Sequence, residues 1–353
     1  MSTTTIMTAR ERAQTLGDEC LRAFPVIVLG SGASAAHGIP AMGPLRDELA
    51  KSKPPAGLCP EDQSIWEQFL KAAATMDLES ALNAVRLSDV LTQHVVETTW
   101  RFLTPSDIAL LFKVTEDRNH LPLSRLFKHL FRSTRAELNV VTTNYDRIPE
   151  YAANAAGFHF FTGFDQGYLG RHIDRNVKTT INGTLARTIH IWKVHGSLDW
   201  FRDTSGLPVA LPVQSNYPST LVPEIITPGI EKYRLTWNEP YRSIQTASDS
   251  ALKSAKSYLC IGYGFNDAHI QEKLVENCRD PSVMLVILTK DLTPKITEFL
   301  KSGHCKNYLV LTNFDGTLTK TTRMYSPDYP LPDGVDIVGE TYWTLDGFLT
   351  LVT

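Results

Sequence analysis

Six short runs of apolar and β-branched residues constrain the fold of this chain more than any other feature of its sequence. They lie at residues 25–29, 138–142, 189–194, 257–261, 283–288 and 308–312. Strands that are apolar throughout, with helical periodicity between them, are typical of a parallel sheet whose two faces are both buried. We therefore predict an α/β fold with a parallel sheet of about six strands and helices on both faces.

A helical insertion is predicted between the first two strands, because more than a hundred residues separate them and a crossover needs far fewer. Within this segment Leu123, Leu126, Phe127 and Leu130 recur at the spacing of one helix face. We place the inserted helical module at residues 45–135.

The whole chain is predicted to be a single domain, residues 1–353, with its core at 24–312. Residues 313–353 are expected to form an irregular, partly β extension that contacts a partner or a second copy of the chain. Residues 202–245 are rich in Pro, Tyr and Ser and show weak periodicity. Long segments of this kind are often lids or partner surfaces.

Charge and composition exclude several classes of function. A formal net charge of −3 without a long Lys/Arg block argues against direct binding of nucleic acid. No stretch reaches the ~18 apolar residues of a membrane span, and the N-terminus lacks a signal-peptide core, so we expect a cytoplasmic protein without membrane contact. The five cysteines are scattered with no C-x-x-C pair. We therefore predict reduced thiols and no metal site.

A glycine-rich turn follows the first predicted strand. Residues 30–35 have the sequence Gly-Ser-Gly-Ala-Ser-Ala, which matches the G-x-G-x-x-G/A pattern of a Rossmann-like phosphate loop. Gly30 is expected to form the tight turn, Gly32 to let the backbone approach a pyrophosphate, and Ala35 to let helix and strand pack closely. Such turns also occur for packing alone, so this motif by itself leaves both interpretations open.

The segment after this turn disfavours a hydride-transferring enzyme. A dehydrogenase would have a second strand about 20 residues further on, ending in Asp or Glu. Residues 46–63 read RDELAKSKPPAGLCPEDQ, which is not a strand pattern, and the next strand begins only at Leu138.

Three more polar or glycine-rich motifs follow predicted strands. They are TTNYD at 142–146, HGS at 195–197 and GYGFND at 262–267. Ligands of an open parallel sheet bind outside the carboxyl ends of its strands, so these motifs and residues 30–34 are predicted to converge on one crevice.

Each of these polar residues also has a purely structural explanation when it is taken singly. Asn144 suits an Asx-turn, Asp146 and Asp267 suit helix caps, and His195 suits a strand end. Their occurrence together at corresponding strand ends favours a functional site. For Asp267 the helix cap and the functional role stay equally open.

In order and spacing these motifs resemble the Sir2 (sirtuin) superfamily, and more closely its bacterial anti-phage defence branch of Sir2-like NADases, as in Sir2–HerA systems. The resemblance rests on GSGASAAHGIP at 30–40, TTNYD, KVHGSLDW at 193–200 and IGYGFNDAHI at 261–270. It spans roughly residues 24–290 and implies a Sir2-like NAD-binding domain.

The resemblance also implies roles for single residues, with NAD as the substrate and no metal. Asn144 would position nicotinamide, ribose and the attacking water, Asp146 the carboxamide, and His195 would act as the base. The predicted NAD-binding residues from the glycine motifs are Gly30, Ser31, Gly32, Ala33, Ser34, Gly262, Tyr263 and Gly264.

Two departures separate the chain from protein-deacylating sirtuins. The paired-cysteine zinc module is absent, and residues 41–44 read Ala-Met-Gly-Pro where those enzymes have an acidic or small residue, then Phe and Arg. These departures argue against acyl-lysine deacylation, and the resemblance then implies hydrolysis of NAD to nicotinamide and ADP-ribose by an abortive-infection effector. Such an effector is expected to form a homo-oligomer and to dock on a HerA-type ATPase. A sirtuin-type deacylase and a non-catalytic NAD or ADP-ribose sensor are the alternatives.

Overall fold

The computed structural model describes residues 7–175, 177–227, 238–314 and 320–353. These residues form twelve helices and fifteen strands. The helices are α1 Ala9–Arg22, α2 Ser31–Ala35, α3 Met42–Lys51, α4 Pro60–Ala73, α5 Leu78–Ala84, α6 Asp89–Glu116, α7 Pro122–Leu130, α8 Ile148–Ala156, α9 Tyr241–Ser254, α10 Ala268–Asn277, α11 Pro294–Lys301 and α12 Leu345–Val352.

The strands form one large sheet, one small sheet and one hairpin. Strands of the large sheet are β1 Val26–Leu29, β2 Glu137–Thr142, β3 His159–Phe161, β7 Thr188–Lys193, β11 Ser257–Ile261, β12 Met284–Thr289, β13 Tyr308–Asn313, β14 Thr321–Tyr325 and β15 Val335–Val338. The remaining strands are β4 Gly170–Arg171, β5 Thr180–Ile181, β6 Thr184–Leu185, β8 Gly196–Arg202, β9 Pro208–Ala210 and β10 Val222–Ile225.

The large sheet has the order β15-β14-β13-β12-β11-β1-β2-β7-β3, and its seven strands from β13 to β3 are parallel. Strands β2 and β7 lie on one side of β1 in the sheet, and β11, which comes later in the chain, lies on its other side. This places the topological switch at β1, where an open α/β sheet forms its binding crevice. The predicted fold class and all six predicted strands are confirmed. The sheet has nine strands rather than about six. The three additional strands are β3, which is short, and β14 and β15, which pair antiparallel.

Both faces of the sheet are buried under helices. Successive side chains of each parallel strand point to opposite faces, so they enter two different hydrophobic cores. In β1, Ile27 and Leu29 enter the hydrophobic core that includes side chains of α1, α6, α7, α8 and α12. Val26 and Val28 enter the second core, which includes side chains of α9, α10 and α11. Burial on two faces is the physical reason that these strands are apolar throughout.

Six helices, α2 to α7, lie in the chain between β1 and β2. Helices α3, α4, α5 and the first part of α6 share a small core of their own, which includes Leu49, Trp66, Phe69 and Leu82. The later part of α6 instead enters the main core through Trp100 and other residues. The segment is helical. The limits of the insertion, 45–135, stay a prediction.

Buried polar contacts anchor α6 to the elements beside the crevice. Asp107 is fully buried and accepts hydrogen bonds from Arg147 N at 2.8 Å, Arg147 Nε at 2.9 Å and Arg147 Nη2 at 2.6 Å. The hydroxyl of Tyr151 donates to the same carboxylate at 2.5 Å. Trp100 Nε1 donates to Leu198 O at 2.7 Å, so α6 also contacts the chain just after His195.

The C-terminal segment is more regular than the irregular, partly β extension we predicted for residues 313–353. Strands β14 and β15 extend the large sheet, and α12 packs against α1, where a Cβ on Gly17 would lie 2.6 Å from Val352 Cγ1. Residues 315–319 lie outside the described residues, as do 228–237 of the predicted lid segment 202–245. A role of either segment in partner contact stays a prediction.

Replacing Asp107 by alanine should lower the free energy of unfolding by about 3–5 kcal/mol, because it leaves the buried Arg147 guanidinium without its carboxylate. Urea denaturation measures the change. Glu97→Ala is the matched control on the same helix, since it removes only a partly exposed ion pair with Arg101 at 3.2 Å and a hydrogen bond from Gln93, and it should cost at most about 1 kcal/mol. Equal effects of the two substitutions would contradict an anchoring role for Asp107.

Candidate active site

Two glycine turns meet through their backbones at the carboxyl ends of β1 and β11. Gly32 N donates to Gly262 O at 3.1 Å. A Cβ on Gly30 would lie 2.4 Å from Gly262 O, and one on Gly32 would lie 2.8 Å from Gly262 Cα. Gly262 itself has φ +57°, and its Cβ would lie 2.3 Å from Ala33 N. These glycines are therefore required for contact between the loops, while their predicted approach to a pyrophosphate stays a prediction.

The role that we predicted for Ala35 is wrong. Ala35 is exposed at the end of α2 and does not mediate packing between helix and strand. Ala33 is partly buried and packs against the main core instead.

A chain of hydrogen bonds joins Asn144, Ser34 and Asp146. Asn144 Nδ2 donates to Gly30 O at 2.8 Å and to Ser34 Oγ at 2.7 Å. The Ser34 hydroxyl then donates to Asp146 Oδ2 at 2.6 Å. Because the Gly30 carbonyl can only accept, the amide nitrogen of Asn144 must face it. Both Nδ2 hydrogens are thereby used, and Oδ1 is the atom through which Asn144 can accept a hydrogen bond from a ligand.

Asp146 is almost fully buried, and burial raises the pKa of its carboxyl despite the nearby Lys193 ammonium. Its Oδ1 accepts from Ile148 N at 3.2 Å, at the start of α8. The ammonium of Lys193 is fully buried, donates to the backbone oxygen of Asp146 and lies 3.0 Å from Glu150 Oε1. Burial raises the pKa of Glu150 to about 7, although Lys193 opposes this shift.

His195 and Asp267 meet across the crevice. His195 Nε2 lies 3.0 Å from Asp267 Oδ2, and only 14% and 10% of the two side chains are exposed. Asp267 Oδ1 also accepts from Ile270 N at 3.2 Å and caps α10. The two interpretations of Asp267 are thus compatible, because one carboxylate oxygen caps the helix and the other contacts the histidine.

The predicted motifs do line one cleft. Eight of the eleven predicted site residues face it, and they are Gly30, Ser31, Ser34, Asn144, Asp146, His195, Tyr263 and Gly264. Gly32, Ala33 and Gly262 lie instead where the two glycine turns touch. Further lining residues, mostly apolar, come from the chain after α2 and from the insertion, and they are Ile39, Pro40, Met42, Leu45, Glu79 and Leu103.

Sequence analysis missed several residues that shape the site. Lys193 gave a usable signal, because a lysine at the end of a buried strand needs a buried partner. That partner, Glu150, follows the TTNYD motif closely in the chain. Glu79 and Leu103 carried no such signal, since only the folding of α5 and α6 over the sheet brings them to the cleft.

Residues 138–282 match the family model described as SIR2-like domain. The match covers less than half of the 353 residues. It contains three of the four motifs and leaves out the glycine turn at 30–35. It supports the resemblance to the Sir2 superfamily. No curated protein matches the chain.

Among the solved structures to which the chain is similar are Sir2 homologues. One is a complex of a Sir2 homologue with NAD, with 15% identity and a TM-score of 0.43 over 84% of this chain and 86% of that chain. Another is a mutant Sir2 homologue bound to ADP-ribose, with 13% identity and a TM-score of 0.42 over 80% and 87%. A third is Sir2Tm bound to a propionylated peptide, with 13% identity and a TM-score of 0.42 over 82% and 89%.

The described ranges contain neither a candidate membrane span nor a candidate metal site. None of the helices in those ranges has the length and apolarity that a membrane span requires. No group of three or more His, Cys, Asp or Glu residues there is arranged to hold a metal ion.

Gly262→Ala should lower the free energy of unfolding more than Gly183→Ala does. Both glycines have positive φ, but a Cβ on Gly183 meets nothing within 4 Å, whereas one on Gly262 meets the Gly32–Ala33 backbone. The free energy of unfolding of Gly183→Ala should therefore fall only by what a left-handed alanine costs, about 1–2 kcal/mol. Urea denaturation of both variants measures the difference, and equal losses would show that the loop contact tolerates a side chain.

Glu150 should contribute stability that is lost as the pH rises from about 4.5 to about 7. In this window folded Glu150, with its pKa of about 7, holds a proton that the unfolded chain, with a pKa near 4.5, has released. The raised pKa of Asp146 acts in the same direction. Glu150→Gln should remove this contribution, so the unfolding free energy of the variant should increase relative to that of the parent by up to about 3 kcal/mol between the low and the high end of the window. Urea titrations at several pH values test this, and an unchanged slope in the variant would contradict it.

Proposed function

We propose that this protein is a Sir2-like enzyme that hydrolyses NAD⁺ to nicotinamide and ADP-ribose in the cleft at the ends of β1, β2, β7 and β11. The observation that supports this most directly is the convergence of the Asn144–Ser34–Asp146 chain and of His195 on the same cleft. A cleft lined by both polar and apolar side chains can bind a ligand that has charged, hydroxyl and aromatic parts.

Cleavage of the nicotinamide–ribose bond requires precise positioning of the substrate more than it requires a strong acid. The bond between nicotinamide and ribose breaks, and nicotinamide leaves as a neutral molecule with the bonding electrons. The oxygen of water joins the anomeric carbon, and its proton is released, which balances the reaction. As in glycoside cleavage, the transition state is oxocarbenium-like, so the placement of water and ribose sets the rate.

Asn144 is proposed to place the ribose and the attacking water. Its amide nitrogen is committed to Gly30 and Ser34, so the side chain is rigid and presents Oδ1. His195 is proposed as the base that takes a proton from a ribose hydroxyl or from the water.

Asp146 is proposed to act through Ser34 and Asn144, because both of its carboxylate oxygens already have protein partners. Its predicted contact with the carboxamide stays a prediction. Gly30 and Ser31, at the start of α2, are proposed to lie against the pyrophosphate, and Tyr263 and Gly264 against the rest of the nucleotide.

The insertion favours a small-molecule substrate over an acyl-lysine peptide. Leu45, Glu79 and Leu103 form a wall of the cleft, beside the chain segment in which this sequence departs from deacylating sirtuins. We therefore rank NAD hydrolysis above deacylation, and a sensor that does not turn over NAD third.

The biological setting that we propose comes from the resemblance alone. An enzyme that depletes NAD would serve as an abortive-infection effector, and its toxicity would require control through assembly. We propose a homo-oligomer that docks on a HerA-type ATPase, with residues 313–353 and the insertion as candidate contact surfaces.

Chromatography of products after the protein is mixed with NAD tests the proposal, with and without an acetylated peptide. NAD hydrolysis gives equal amounts of nicotinamide and ADP-ribose, independent of the peptide. Peptide-dependent release of nicotinamide with formation of acetylated ADP-ribose would favour the deacylase. Calorimetric binding of NAD without any cleavage would favour the sensor.

Asn144→Ala should lower nicotinamide release by roughly 10²–10³-fold while the affinity for NAD changes little, because its interaction is made mainly in the transition state. Calorimetry and chromatography measure the two quantities. Asn154→Ala, an exposed position on α8, is the matched control and should behave as the parent. Parental turnover in Asn144→Ala would show that Asn144 is only a turn residue.

A further inference from the structure

Asp267 uses its two carboxylate oxygens in different directions. Oδ1 caps α10 through Ile270 N, and Oδ2 lies 3.0 Å from His195 Nε2. We infer that Asp267 is a positioning residue that holds the His195 ring in one orientation and one tautomer for NAD cleavage. This inference rests on the proposed function.

The contact spans the crevice, which a helix cap alone does not require. His195 follows β7 and Asp267 follows the turn after β11, and β2 and β1 lie between those strands in the sheet. With about 4.8 Å between neighbouring strands, the two strand ends are roughly 14 Å apart. The pair therefore crosses above the ends of β1 and β2, where Gly30 and Asn144 lie.

The backbone that carries Asp267 is held in an unfavourable conformation. Phe265 has φ +60°, a left-handed conformation that is unfavourable for a residue with a side chain. Its ring is fully buried and stacks on Phe299 with the centroids 5.5 Å apart, which keeps the strained residue in place. Strain of this kind persists where the surrounding structure requires one particular loop geometry.

Both partners of the contact are fixed before any ligand arrives. Tyr263 Oη donates to Asp267 O at 3.2 Å, and Thr293 Oγ1 donates to Gly264 O at 2.7 Å. On the other side, Ile226 N donates to His195 O at 2.9 Å. A site built from such fixed loops loses little entropy when it orients a side chain.

The orientation has a chemical consequence. An ionised carboxylate only accepts hydrogen bonds, so the hydrogen of neutral His195 resides on Nε2. Nδ1 is then the ring nitrogen that accepts the proton of the water or ribose hydroxyl. The carboxylate also stabilises the imidazolium that results, as in other Asp–His pairs.

Asp267→Ser separates the two roles, because serine caps helices well but is too short to keep the contact with His195. Asp77→Ser is the matched control, since Asp77 caps α5 through Ser80 N at 2.9 Å. We expect kcat for NAD to fall on the order of 10²-fold in Asp267→Ser, with KM changed less than about twofold. The melting temperatures of both variants should stay close to that of the parent, and Asp77→Ser should keep parental kcat. Parental kcat in Asp267→Ser, or a loss confined to KM, would overturn the inference.

A second measurement tests the contact without any turnover. In ¹⁵N-histidine-labelled protein at alkaline pH, long-range ¹H–¹⁵N spectra report the tautomer of each ring, and His195→Gln assigns the signals of His195. We expect the Nε2–H tautomer in the parent and in Asp77→Ser, and a mixture in Asp267→Ser. An unchanged His195 tautomer in Asp267→Ser would overturn the inference. Absence of NAD cleavage by the parent would instead count against the proposed function, and the two failures are therefore distinguishable.

Discussion

The contact between the two glycine turns is the constraint on which the candidate site depends. Gly30 and Gly32 lie against Gly262 with no room for a Cβ, so the loops after β1 and β11 are joined backbone to backbone. Gly30 O is thereby fixed in space and accepts from the amide of Asn144. The position of Asn144 then determines that of Ser34 and, through it, the hydrogen bond to Asp146.

Two buried ion pairs hold the segment that follows Asn144 from opposite sides. Arg147 pairs with Asp107 of the insertion, and Glu150 pairs with Lys193 of β7. Burying charges is costly, so removing one partner of such a pair destabilises a fold much more than replacing both partners by apolar residues does. These pairs connect the helical insertion, the start of α8 and the central sheet at the point where the TTNYD motif ends.

Much of the fold was predictable because local rules and the global architecture agree. Parallel strands buried on both faces must be apolar throughout, so the strand at 257–261 is visible in the sequence without any knowledge of its neighbours. A short antiparallel strand such as β15, with Ile337 buried and Val338 exposed, carries a much weaker signal. Ala35 shows the limit of motif reasoning, since it matches the pattern but is exposed.

The sequence by itself determined the class of fold, the order of the strands along the chain and the polar residues that follow them. Residue type and spacing decide these, because they depend on local backbone preference and on alternating burial. Tertiary structure alone decided that Asp267 meets His195, that Asn144 donates to Ser34, and that Glu79 faces the cleft. These contacts join residues that lie far apart in the chain, and their geometry follows from sheet order and loop packing rather than from any local pattern.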